Sequence, residues 1–312
     1  MTFIPADYRD QLVVADGDLR LELTRRGWPS EEPPELANLR RAEIVQDVVE
    51  SFLDAGARAL VTNTIAANSL RLADELRGYS VTPGELWAIN RDGAAICRAA
   101  ASNHPGAPVP VFGAMGPPGK LLMLEEIGER NLSSAYAKQA EALAAGGADA
   151  MLCRGFSEIG ALTIALAAAR RATGLPAVGS MVFDSGPEQN ETSLGVTVPQ
   201  ACAELTEAGA AMIGYESGDE PENAAAVVKL LRRSCGVPIW AGVSAGVPQL
   251  VDGQVAYPET PAEFAQRLRA VAAAGANFIG GGRGATVEHI AALAAEAARL
   301  LGRTSQKRGK PV

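Results

Sequence analysis

Five side chains of this 312-residue chain are best suited to do chemistry: the carboxylates of Asp16, Asp184 and Glu216, and the guanidiniums of Arg154 and Arg283. Each follows a short apolar run, where the end of a strand presents a side chain to a ligand. A carboxylate there can act as a general base or hold an ammonium group. A guanidinium offers a fork that fits carboxylate or phosphate. The five could instead satisfy one another, with Arg154 balancing Asp16, Asp184 or Glu216, and spacing alone does not separate the two arrangements. The sharpest local signal is Gly280-Gly281-Gly282-Arg283-Gly284, followed by Thr286 as the expected cap of a last helix. Successive glycines let backbone N–H groups approach an anion. The alternative is that they only relieve crowding while Arg283 pairs with a surface acid.

Other chemistries have less to draw on. The four cysteines, Cys97, Cys153, Cys202 and Cys235, share no C-x-x-C spacing, and the two histidines, His104 and His289, lie far apart, so no nitrogen and sulfur ligands cluster for a metal. Cys153, at the end of an apolar run, reads as a small core hydrophobe. His104 precedes Pro105 on the way into a strand, and His289 falls in the first turn of a helix, where capping or packing is its expected role. Schiff-base chemistry needs a lysine in the site, but Lys120 is the one of five lysines near a strand end.

A net charge of −8 and a pI near 5.0 oppose nucleic acid or an anionic membrane as partners and favour small molecules. The opening MTFIPADYRD lacks a signal-peptide pattern, no long uncharged apolar stretch occurs, and the thiols read as reduced; a cytoplasmic protein is expected. The segment TSQKRGKPV, residues 304–312, is basic and polar and reads as a disordered tail.

What must position these side chains is an alternation of strands and helices. Apolar runs too short for helices occupy residues 12–15, 59–62, 109–112, 150–153, 177–183, 211–213, 238–241 and 277–279. Helical spacing fills residues 37–55, 85–101, 132–145, 159–172, 200–208, 222–234, 261–274 and 287–301. A recurring junction, with Gly56, Gly147, Gly209 and Gly275 after a helix and just before an apolar run, reads as a left-handed helix cap turning into the next strand. Eight strands with a helix after nearly every one, and no Pro/Ser-rich linker, predict one (β/α)8 barrel over residues 1–303 in preference to a doubly wound open sheet. In such a barrel the strand ends expose Asp16, Thr62-Asn63-Thr64, Met115, Arg154, Phe183-Asp184, Glu216-Ser217, Ser244 and the Gly280 run at one mouth.

These motifs together resemble the homocysteine S-methyltransferase family, over about Leu12 to Leu301. The resemblance rests on Asp16-Gly17 with Glu22-Leu23, Thr62-Asn63-Thr64, Gly113-Ala114-Met115-Gly116-Pro117, Phe156-Ser157-Glu158, and Met181-Val182-Phe183-Asp184. It extends through Gly253-Gln254-Val255-Ala256-Tyr257-Pro258 and Gly280-Gly281 with Glu288-His289. It implies a (β/α)8 barrel and methyl transfer to a thiol that zinc holds as thiolate, the metal being bound by one Cys after strand six and a Cys pair after strand eight. Those positions fall on Ser217, with Glu216 the neighbouring register, and on Gly282 and Arg283. None is a thiol, so the family zinc site is expected to be lost and no cofactor is expected. The family's ammonium-binding Glu after strand four reads Arg154, and the Thr and Gly of its first loop are missing from Asp18-Leu19-Arg20-Leu21. The expectation is a methyltransferase acting on a more anionic small molecule, with Asp16, Asp184 and Glu216 as catalytic candidates. Asn63, Arg154, Ser217, Gly282 and Arg283 are then the substrate-binding candidates. A homo-oligomer or a corrinoid-protein partner is compatible with that reading. A lyase or isomerase acting on an acidic metabolite, or a binding paralogue without catalysis, are the other two.

Overall fold

The computed structural model describes residues 3–72, 81–218, 221–251 and 254–308. Of the motifs above, Gly253 lies outside the described residues. In chain order the strands are β1 (Val13–Val14), β2 (Leu60–Val61), β3 (Val111–Met115), β4 (Ala150–Phe156), β5 (Ala177–Val182), β6 (Met212–Glu216), β7 (Ile239–Val243), β8 (Gln249–Val251), β9 (Gln254–Ala256) and β10 (Phe278–Gly281). Eight of them form one parallel sheet in the order β1-β10-β7-β6-β5-β4-β3-β2, while β8 and β9 make a separate antiparallel hairpin. The sheet closes on itself where β1 meets β2. Ala15 bridges Ala59 in parallel, the Arg58 N–H donates to Val14 O at 2.7 Å and the Asp16 N–H to Ala59 O at 3.1 Å. The result is the expected (β/α)8 barrel.

Two apolar layers hold it. Inside the barrel Phe112, Trp240 and Phe278 pack with Ala15, Ala59, Ala114 and Ala150, and Phe3 and Tyr8 add rings from the N-terminal segment. Small residues opposite large ones let the layers interdigitate. Outside, the helices α3 (Ala42–Asp54), α4 (Pro83–Asn103), α5 (Glu129–Ala145), α6 (Ile159–Thr173), α7 (Val198–Glu207), α8 (Ala224–Ser234), α9 (Pro261–Ala273) and α10 (Val287–Arg308) lay their apolar stripes on the sheet. Two shorter helices, α1 (Leu19–Arg25) and α2 (Ala37–Arg40), belong to the long connection after β1. Thr82 and Thr260 start α4 and α9 with full capping boxes to Glu85 and Glu263, each followed by a proline whose missing N–H costs nothing there. The recurring junction is what its sequence indicated: Gly56, Gly147, Gly209 and Gly275 all have positive φ.

The sequence reading ends several strands too early. β3, β6, β7 and β10 run on through Gly113, Gly214, Gly242 and Gly280–Gly281, which look like stops in a sequence. In the barrel these glycines are points of close approach: a Cβ on Gly242 would lie 2.2 Å from the Glu216 carboxylate, and one on Gly214 would lie 2.7 Å from Ser180 Oγ. Residues 37–55, expected as one helix, are two, broken at Arg41 (φ −146°, ψ 52°); there the buried Asn38 amide donates to Asn63 O and Ile89 O, pinning the first turn inward. The last helix, α10, continues through Arg308. Residues 309–312 lie outside the described residues. Among the described residues, no helix is long and apolar enough to cross a membrane.

Candidate functional site

At the C-terminal mouth of the barrel a cavity of about 240 Å³ opens between the loops after β1, β2, β4 and β10. Arg20, Arg71, Arg154 and Arg283 line it together with Asp18 and Glu35, and its floor includes Val61, Ala114 and Gly281. Four of the eight residues singled out from the sequence, Asn63, Arg154, Gly282 and Arg283, are in its wall.

Arg154 projects from the β4 end, where the pairing with β5 shifts register between Cys153 and Phe156. Its guanidinium donates to Glu216 Oε2 at 2.6 Å, with the two side chains 15% and 8% exposed. Glu216 ends β6, and its other oxygen accepts the Ser180 hydroxyl at 3.3 Å and the Trp240 indole N–H at 3.2 Å. Of the three carboxylates the sequence left open as partners of Arg154, Glu216 is the one it bonds. The guanidinium loses by burial, but Glu216 first, then Asp16 and Asp18, more than offset that and raise its proton affinity. Glu216 in turn is held by three donors, so it serves as the anchor of Arg154 rather than as an available base.

Asp16, 3% exposed, caps the β1 end, and its Oδ2 accepts the Val61 N–H at 2.7 Å across the closure of the barrel. Burial pushes its carboxyl up to about 7, against the opposing pull of the Val61 N–H and Arg154. Asp18 caps α1: Oδ1 accepts the Leu21 N–H at 3.1 Å and Oδ2 the Gly284 N–H at 2.8 Å. Its carboxyl too is raised by burial, in spite of those two N–H donors and of Arg20 and Arg154. Asp18 thereby fastens the glycine run to the first helix. Gly284 has φ +81°, and a Cβ there would lie 2.1 Å from the Tyr257 ring.

Asn63, in the cavity wall, also holds the backbone together. Its amide donates to Pro34 O at 2.6 Å and Asn38 Oδ1 at 3.0 Å, tying down the connection that roofs the cavity. Thr62 and Thr64 share a 2.6 Å hydroxyl contact and bond the Ala114 backbone, so the tripeptide is a buried polar knot between β2 and β3. Asp184 and Ser217 stand outside the cavity wall. Asp184 accepts from the Ser185 hydroxyl at 3.1 Å and covers Gly218; Ser217 donates to Ser244 Oγ at 3.0 Å and accepts the Ser244 N–H at 2.7 Å. His289 packs as expected. Its Nε2 faces Glu259 O at 2.8 Å while Nδ1 takes the Thr286 N–H at 3.2 Å, a cap made by the histidine on the threonine.

Sequence reasoning did not select Asp18, Arg20, Glu35, Arg71, Ser180 or Trp240. A signal existed for Asp18, an Asp three residues ahead of Leu21 at the start of a helical pattern, which is the usual N-cap grammar. The other five show no pattern in the linear chain.

The donor set does not fit the zinc implied by the resemblance. Ser217 is committed to Ser244, Gly282 has no side-chain ligand atom, and the Arg283 guanidinium has donors but no acceptor to offer a metal. Among the described residues, no group of three His, Cys, Asp or Glu side chains could hold a metal ion.

Comparison with known proteins agrees with this architecture. The chain is 28% identical over 271 residues to the methionine synthase of Mycobacterium tuberculosis, covering 85% of this chain and 22% of that protein, and 28% identical over 270 residues to that of Mycobacterium leprae. It thus spans about a fifth of the length of these relatives. Among solved structures, the metallated homocysteine methyltransferase MmuM of Escherichia coli superposes with a TM-score of 0.75 at 22% identity, covering 91% of this chain and 96% of that one. The carboxyl transferase domain of Rhizobium etli pyruvate carboxylase shares the fold more distantly, with a TM-score of 0.54 at 13% identity. The sequence profile of the homocysteine S-methyltransferases matches residues 13–297, and the chain belongs to that family.

Proposed function

We propose that this barrel transfers a methyl group from a small methylated donor to a thiol, without zinc, and that its substrate carries more negative charge than an ordinary amino acid. One observation carries the reading: the cavity wall holds four guanidiniums, including Arg283 at a position of the expected zinc cysteines and Arg154 at that of the expected ammonium partner. An anion entering there exchanges water for charge-assisted hydrogen bonds. Arg283, at the rim, is the first to meet it, and Arg154, fixed by Glu216, supplies the inner contact.

Activation of the thiol then falls to the protein's own acid–base groups. An unperturbed thiol titrates near 8.5 and is a few per cent thiolate at pH 7. Asp16 stands behind the cavity lining, between its neighbour Gly17 and its partner Val61, which both belong to that lining; with its proton affinity near neutrality it is the group to which this reading assigns the thiol proton, because a base works best when its pKa lies near the operating pH. The thiolate sulfur attacks the donor's methyl carbon, the new S–C bond forms as the donor's bond to methyl breaks, and the donor leaves with that electron pair.

Two measurements on the purified protein test this. Elemental analysis is expected to find zinc well below one atom per chain after growth in zinc-supplemented medium; stoichiometric zinc overturns the metal-free reading. Incubation of a thiol panel that includes carboxylated thiols with betaine, S-methylmethionine, S-adenosylmethionine or methylcorrinoid is expected to yield a thioether. No product from any pair refutes methyl transfer. Stabilisation against heat by dicarboxylates, lost in Arg283→Ala, would then leave a binding role in its place.

A further inference from the structure

The glycine run after β10 has the sequence of a phosphate cradle, and (β/α)8 barrels bind phosphate at this place through backbone N–H groups. In the structure the protein itself engages those groups. The Gly282 N–H donates to Val243 O, and the Gly284 N–H donates to Asp18 Oδ2 at 2.8 Å. At the start of α10 the Thr286 N–H donates to His289 Nδ1 and the Val287 N–H to Glu22 Oε1, each at 3.2 Å. Two of these acceptors are carboxylates carried by α1 and its cap. Glu22 is 2% exposed and neutralised by Arg25 and Arg26, so it is closed off from a ligand. Asp18 lines the cavity. Its position does not depend on its side chain alone, since its own N–H donates to Ala285 O at 2.7 Å and the Gly281 N–H to Asp16 O at 2.9 Å. The two loops are pressed together there: a Cβ on Gly17 would lie 2.3 Å from Ala285 O.

We propose that Asp18 sets the anion specificity of this cavity: by filling the cradle of the glycine run it excludes phosphate groups and restricts the ligand to small carboxylates held by the guanidiniums. It rests on the reading above that an anion enters the cavity, and adds the class of that anion. The planar fork of a guanidinium matches the two oxygens of a carboxylate. A tetrahedral phosphate gains its advantage from a concave set of backbone N–H groups, and here that set already holds a carboxylate. A phosphate approaching Gly284 meets like charge in place of a donor. A carboxylate seated on Arg154 and Arg283 does not need that donor. The volume of about 240 Å³, small beside pockets for drug-sized ligands, suits an acid of a few carbons.

Titration calorimetry of the whole chain with succinate and with inorganic phosphate, at a pH where both are dianions, tests this. Wild-type protein is expected to bind succinate at least about tenfold tighter than phosphate, the value of one charge-assisted hydrogen bond. Asp18→Ala removes one negative charge, which strengthens both dianions alike, and uncovers the Gly284 N–H, which serves phosphate alone. The ratio of the two affinities is therefore expected to move toward phosphate by about tenfold or more. Wild-type protein that binds phosphate as tightly as succinate, or an Asp18→Ala ratio unchanged from wild type, overturns the proposal. The first of these needs no variant, so a variant that failed to fold would not leave the question open. Wild-type protein that binds neither dianion removes the anionic ligand itself and the proposal with it. Phosphate binding that disappears in Arg283→Ala leaves an anion in the cavity and overturns only the specificity assigned to Asp18.

Discussion

Removing the Glu216 carboxylate leaves the Arg154 guanidinium without its anchor in the barrel wall, and the penalty can be worked out from what that carboxylate holds. Its two oxygens accept from Arg154 at 2.6 Å, Trp240 at 3.2 Å and Ser180 at 3.3 Å. The Arg154 side chain is only 15% exposed, so Glu216→Ala leaves a cation in a low-dielectric wall. Breaking a buried pair by removing one partner costs about 3–5 kcal/mol. The orphaned indole and hydroxyl add about 1 kcal/mol each, whereas the remaining pull of Asp16 and Asp18 on Arg154 reduces the first figure. The net expectation is a loss of about 4 kcal/mol. With a urea m-value of about 3 kcal/mol/M, the unfolding midpoint of Glu216→Ala should fall by about 1 M or more. The double variant Arg154→Met, Glu216→Leu removes both charges, leaves nothing ionised to desolvate, and should recover at least half of the loss. A single variant whose midpoint stays within about 0.3 M of wild type, or a double variant no more stable than the single one, would refute the argument that this pair is a buried anchor.

Other outcomes follow from the same geometry. The folded Asp16 carboxyl holds its proton up to about pH 7 where the ordinary value is 3.8, so the folded state binds that proton more tightly and stability should fall as pH rises between them. Asp16→Asn keeps an acceptor for the Val61 N–H and removes the titration; its melting temperature should lose this decline, which for the wild type corresponds to on the order of 4 kcal/mol. Parallel pH–melting curves for the two proteins would show that Asp16 does not titrate there. If Asp16 is the base for the thiol, the same variant should also lose the acid limb of the pH–rate profile near 7, and an unchanged limb would assign that role elsewhere. Gly284→Ala meets both a positive φ and the Tyr257 ring, and should cost at least about 2 kcal/mol by chemical denaturation. Adding Tyr257→Ala should restore only the part due to the ring, since the backbone conformation is untouched.

The barrel could be read from the chain because its cause is repetitive. Apolar runs alternate with amphipathic helices, and Gly56, Gly147, Gly209 and Gly275 mark the same turn four times. The strand ends could not be read so well, because Gly214 and Gly242 are indistinguishable in sequence from turn glycines until Ser180 and Glu216 are seen lying against them. The site was legible as a set of strand-end residues and illegible as a set of bonds. Arg154 and Glu216 were both chosen, yet their pairing depends on β4 and β6 flanking β5. The bonds of Asn63 could not be read because its partners, Pro34 and Asn38, come from a connection with no periodicity to announce it. Ser180 and Trp240 lie inside strands where any residue reads as core.

The closure of the barrel has a consequence of its own. β1 and β2 contribute two residues each, and the edges they join are laced by a pair of backbone bonds and by the Asp16 carboxylate on the Val61 N–H. That lacing works like a zip whose last tooth is a side chain. Burial favours the neutral acid there, so any event that ionises Asp16, whether rising pH or a base that takes its proton, strains that tooth. Drawing off that proton and slackening the cylinder wall are then two readings of one equilibrium, and the chain cannot tune the first without moving the second.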